Sequence, residues 1–206
     1  MATLRKLLAT VAVVSLATAL PAAAAEPVSY ACRADTKFGQ HHVSLRQGAD
    51  AKAPASVKPG ATFDVVVDLK PGSLPGEVKG FKLKEVRDLA LRVPVPANAS
   101  FEGAFLTGGS GLNSQPTVEA GQGVVTLRVA GPIAGGAAYQ LPRLTVRLKA
   151  GQAGAIETRL HGTGFDNPGL TLQAKIKWKF VTITSPVSCY PDPNPALTRT
   201  VISKAE

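Results

Sequence analysis

Residues 170–190 read LTLQAKIKWKFVTITSPVSCY, and their alternation sets the fold class. Leu170, Leu172, Ala174, Ile176, Trp178 and Phe180 alternate with Thr171, Gln173, Lys175, Lys177 and Lys179. A period of two sends alternate side chains to opposite faces, so the run predicts a half-buried β-strand with one apolar and one basic face. On that parity Trp178 points into the core. Apolar parity passes from even to odd numbers between Phe180 and Val181 and continues at Ile183. A slip of one residue exchanges the faces of a strand, so a bulge or a corner is expected at 179–182. The run reaches Cys189, whose partner within the chain can only be Cys32.

The first 25 residues read as a secretory leader rather than as fold. Arg5 and Lys6 form its positive start, 7–20 is apolar apart from Thr and Ser, and Ala23, Ala24 and Ala25 supply the small residues of a cut before Glu26. The apolar run is short of the ~20 residues of a membrane span; an uncleaved anchor is the alternative. Cys32 follows Ser29, Tyr30 and Ala31, without the Leu expected three positions before a lipidated cysteine. Cleavage takes the 206 residues to 181, enough for one domain or two small ones. The leader holds two of the 23 lysines and arginines and none of the 14 acids, so the remainder carries +7. Such a balance suits anionic polymers or lipid headgroups at a cell surface, or solubility alone.

Two cysteines in an exported chain are expected to form a disulfide, with two independent thiols as the alternative. A bridge closing nearly the whole mature chain is worth about 5 kcal/mol in the chain-entropy account. It would tie the first and last strands into one unit, set here at 26–195, leaving 196–206 as a tail.

Helical periodicity is missing after the leader, and twenty Gly and sixteen Pro punctuate the chain. Short strands are expected at 28–33, 41–46, 61–69, 100–106, 123–129, 139–148 and 156–160. Residues 81–84 and 89–93 read as two strands, or as one with a bulge. In 61–69, Phe63, Val65, Val67 and Leu69 point one way and Thr62, Asp64, Val66 and Asp68 the other. The turn before them, with Pro59 and Gly60, suits a type II corner. The pattern Val57-x-Pro59-Gly60-x-x-Phe63-x-Val65-x-Val67 resembles the start of a strand in bacterial immunoglobulin-like extracellular modules.

Candidate chemistry is sparse. His41 and His42 are adjacent in a strand and must face opposite sides, so they cannot share a metal ion; His41 has the parity of Val43 and Leu45. The best nucleophilic trio is Ser110, His161 and Asp166, but Leu112 occupies the last Gly position of a G-x-S-x-G elbow. Eleven aromatic residues leave little for a carbohydrate platform. No pattern calls for a metal, a cofactor or nucleic acid. The most specific surface signal is the ladder Lys175, Lys177, Lys179. Arg143, Arg147 and Lys149 lie on another strand, and if the two strands are neighbours the six make one positive face; a solvated, edge-protecting face is the plainer alternative.

The two ends, Tyr30-Ala31-Cys32 and the run from Cys189 to Pro195 (CYPDPNP), resemble those that bracket secreted actinobacterial proteins. The turns GGSGL at 108–112 and NPGLT at 167–171 are similar too. That resemblance implies a β-sandwich and brings no established activity. The expectation is therefore an all-β, antiparallel, immunoglobulin-like or Greek-key sandwich, non-catalytic and exported, working in or on the cell envelope. It would touch anionic polymers or lipid headgroups through its basic face. A secreted hydrolase using Ser110 and His161, or a carrier of an apolar ligand between the sheets, are the alternatives.

Overall fold

The structure is a computed structural model that describes residues 27–203; the expected leader at 1–25 lies outside them. The described chain is all-β. It opens with β1 (Pro27–Thr36), β2 (Gly39–Lys52), β3 (Ser56–Val57), β4 (Thr62–Leu69), β5 (Gly72–Ser73) and β6 (Glu77–Val78). The middle holds β7 (Phe81–Pro94), β8 (Ala99–Thr107), β9 (Thr117–Gly121), β10 (Val124–Val129), β11 (Ile133–Ala134) and β12 (Ala138–Tyr139). It closes with β13 (Arg143–Ala150), β14 (Gly154–Thr158), β15 (Leu170–Trp178), β16 (Val181–Pro191) and β17 (Thr198–Ile202). Among these strands every pairing is antiparallel except that of β17 with β3.

The main sheet runs β8-β13-β4-β2-β1-β16-β15-β7-β10-β9, with β6 and β11 also on β7. Strand β2 makes the corner. Its residues 39–48 pair with β1, and 49–52 pair with β4. At the switch sits Gly48, where an added Cβ would lie 2.9 Å from the Cβ of Lys70. One hydrophobic core draws on both arms. Phe63, Val65, Val67, Leu144, Val146 and Leu148 come from β4 and β13, and Leu89, Leu91, Val93, Val125, Leu127 and Val129 from β7 and β10. The outer strands β8 and β9 return into contact, so the sheet is bent back on itself. The alternation read in 61–69 holds along β4, and Gly60 takes φ 71° at the corner before it. Residues 81–93 form one strand, with register shifts against β15 and Asp88 at φ 51°.

Two expectations change. Residues 170–190 are not one strand with a bulge but a tight hairpin, turning at Lys179 and Phe180, with Lys179 at φ 52°. Trp178 pairs with Val181, and Leu170 pairs with Cys189. A two-residue turn makes every even residue of β15 oppose an odd residue of β16, and directly opposed residues share a face. The parity change is therefore the signature of the hairpin. Its far end outruns the core, which leaves Trp178 41% and Phe180 99% exposed. The second change is at the C-terminus. The stretch expected as a tail contains β17, which is paired with β14 and β3 and buries Thr200 and Ile202.

Cys32 and Cys189 are bonded across a separation of 157 residues, with Cα atoms 4.0 Å apart. They are directly opposed in the β1–β16 ladder. The bridge thus staples neighbouring strands within one arm of the sheet.

Candidate functional site

The strands β2, β1, β16 and β15 present one continuous apolar face. Register aligns Tyr30 with Leu45, Cys32 with Val43 and Ala34 with His41, and on the other side Leu172 with Val187 and Ala174 with Ser185. These side chains line an apolar cavity of about 190 Å³. Strand β4 reaches the lining only through Leu69, and β8 and β13 contribute none of it. The lining is completed by Leu74 and Pro75 of the loop after β5, by Val78 of β6, and by Ile133, Tyr139 and Leu141. Small side chains at Ala34, Ala174 and Ser185 leave the volume that larger ones would fill. An apolar cavity of ~150 Å³ stays dry and accepts a benzene ring, so this one has room for a ring or a short alkyl segment.

Several polar side chains of the lining are hydrogen-bonded within the protein. Tyr139 Oη donates to Gln47 Oε1 at 3.0 Å, and Gln47 Nε2 donates to the carbonyl oxygens of Lys70 and Gly48 at 2.8 and 3.1 Å. Ser185 Oγ donates to the carbonyl of Asp35 at 2.9 Å. Burial pushes the phenols of Tyr30 and Tyr139 above the ordinary tyrosine value. His41 is not among the hydrogen-bonded side chains. Its Nε2 is buried with no hydrogen-bond partner, and its ring packs edge-on against Phe81 at 5.4 Å. His42, the next residue, faces the other side and lies against Phe165, as adjacent strand residues must.

One end of the cavity, at Thr36, Lys79, Phe81 and Ile176, lies by three hairpin turns. In sheet order the pairs β2–β1, β16–β15 and β7–β6 stand side by side. Each is closed by a two-residue turn: Lys37 and Phe38, Lys179 and Phe180, Lys79 and Gly80. Trp178 links them, with ring centroids 5.8 Å from Phe38 and 6.1 Å from Phe81.

The basic face expected from six residues does not assemble. Four strands separate β13 from β15 in the sheet order, so Arg143, Arg147 and Lys149 do not adjoin the lysine ladder. Arg147 Nε lies 2.9 Å from Asp64 Oδ1, and Arg143 Nη2 lies 3.3 Å from Asp68 Oδ2. The hydrogen bonds and charge of Arg147 hold the Asp64 carboxyl below the usual carboxylate range. Lys175 is 3.5 Å from Glu85, which Arg87 also grips at 2.7 Å. Lys149, Lys177 and Lys179 make no ion pair among the described residues. Spacing carried a signal for the pairs on β13: Asp64 and Asp68 are four apart on the outward side, as are Arg143 and Arg147.

The hydrolytic trio is not brought together either. Ser110 sits in an isolated bridge with Gln140, while His161 Nε2 bonds Asn167 Oδ1 at 2.9 Å. The fully exposed Asp166 carboxylate is 3.8 Å from Arg33. No hydrogen bond joins these three side chains to one another among the described residues. Among the same residues no three His, Cys, Asp or Glu side chains gather as a metal site.

No family model matches the chain, and no curated protein matches its sequence. A crystal structure from Corynebacterium diphtheriae, described as a membrane-anchored protein, is similar in fold, with a TM-score of 0.59 at 19% identity. The match covers 88% of this chain and 38% of the corynebacterial one, so the present chain spans well under half of that protein's length.

Proposed function

We propose that this protein is an extracytoplasmic binder or carrier of an apolar ligand, held in the cavity between β1, β2, β15, β16 and the segments that complete its lining. The observation that carries this reading is the lining itself: side chains that a tight core would close over enclose about 190 Å³ of apolar space. The Cys32–Cys189 bridge supports an oxidising compartment. The likeness in fold to a protein described as membrane-anchored is consistent with a place at the envelope.

Native mass spectrometry and solvent extraction of the purified protein test for a bound apolar molecule, and a fluorescent apolar probe tests the empty site. Ala174→Phe, which fills the cavity from its wall, is expected to abolish probe binding while the strand circular dichroism stays unchanged. A folded Ala174→Phe protein that takes up the probe as well as the parent would sink the proposal.

A further inference from the structure

The three side-by-side hairpin tips carry a composition that the cavity alone does not explain. Phe38, Trp178, Phe180 and Val181 are all large, exposed and apolar, and all lie on two adjacent tips. Around them stand Lys37, Lys79, Lys82, Lys177 and Lys179, none held in an ion pair among the described residues. Glu77 is the one acid in 36–40, 77–82 and 177–182, and it stands opposite Lys82. Two lysines lie over the exposed rings, Lys37 Nζ 5.4 Å from the centroid of Phe38 and Lys179 Nζ 5.0 Å from that of Trp178.

Exposed aromatics gathered in a patch mark an interaction surface, and free lysines around them select an anionic one. Aromatic rings settle at the headgroup level of a bilayer, and basic side chains are drawn to its negative surface. We infer that the tips at Lys37–Phe38, Lys79–Gly80 and Lys179–Phe180 dock the protein onto an anionic lipid bilayer. The cavity end at Thr36, Lys79 and Phe81 then meets the headgroups, where an apolar ligand can pass without crossing water. This deepens the cavity reading by assigning the source of its ligand, but the docking surface rests on its own residues.

Co-sedimentation of the full protein with phosphatidylcholine vesicles, with and without phosphatidylglycerol, tests the docking. Binding is expected to need the anionic lipid and to weaken with salt. Lys37→Ala with Lys179→Ala should lower it about 25-fold, about fivefold for each lysine. Phe38→Ser with Phe180→Ser should lower it about tenfold, and these exposed side chains can be changed without disturbing the core. Tip variants that sediment like the parent, or a parent indifferent to phosphatidylglycerol, would overturn the inference. So would sedimentation velocity showing that the tips pair two copies of this chain while vesicle binding stays unaffected by the substitutions. Uptake of the soluble probe separates the two readings. Loss of docking with intact uptake in the tip variants supports the bilayer surface. A parent that docks but never takes up the probe leaves the docking surface standing and removes the cavity proposal.

Discussion

Tyr139 Oη donates a hydrogen bond of 3.0 Å to Gln47 Oε1, fastening β12 to the strand that turns the corner of the sheet. Both residues are buried, and the Gln47 amide is committed to the carbonyls of Lys70 and Gly48. Tyr139→Phe would keep the ring and remove the donor to a buried carbonyl oxygen. The expected cost is about 1–3 kcal/mol. It should appear as a lower urea midpoint with an unchanged slope, whereas an unchanged midpoint would show that water replaces the hydroxyl.

Removing the bridge at Cys32 and Cys189 should cost about 2–5 kcal/mol without changing the strand content. The ladder between β1 and β16 continues on both sides of the pair, from Tyr30 opposite Pro191 to Ala34 opposite Val187. Thermal unfolding with and without reductant, followed by circular dichroism, measures the difference. A reduced protein with the parent's melting temperature would contradict it.

On the acid side, Asp64 should titrate below the usual carboxylate range because Arg147 bonds and faces its carboxyl. A depressed folded pKa means that the folded chain holds this proton less tightly than the unfolded chain. The contribution is complete above the unfolded value of ~3.9 and fades as pH falls through the folded one. Carboxyl chemical shifts measured against pH should place Asp64 low in the parent and restore it to the ordinary range in Arg147→Gln.

On the alkaline side the sign reverses. Burial raises Tyr30 and Tyr139, so the folded chain holds their protons more tightly. Their contribution is full below the unfolded value of ~10 and is lost as pH rises above it. Tyr30→Phe is therefore expected to lose no phenolate absorbance until the chain unfolds, and to soften the alkaline limb of the stability profile. Loss of an early phenolate signal in that variant would mean that the Tyr30 phenol reaches water in the native state.

Much of the fold was legible because alternation is a local property. Phe63 to Leu69, Leu144 to Leu148 and Val125 to Val129 face the core on the parity read from their order. The parity change after Phe180 was visible as well, but a bulge and a two-residue hairpin leave the same trace. The choice rests on whether Trp178 meets Val181, which is a matter of pairing and not of composition. The cavity was not legible as a place. Ala34, Ala174 and Ser185 are ordinary small residues until the ladder brings them to one face and the layer of β4 and β13 stops short of it. The same holds for the tips. Lys37, Lys79 and Lys179 stand far apart in the chain and become neighbours only through a strand order that mixes its two ends.

That strand order bears on how the chain is made. Synthesis delivers β1 first, and β2 covers one side of it at once, but its other side waits for β16, whose last residue is Pro191. Until β16 has emerged, β1 offers an unsatisfied hydrogen-bonding rim to any passing strand. The nascent molecule is therefore open to pairing with its own copies until β16 is released, and a truncation before residue 181 would leave that rim permanently open.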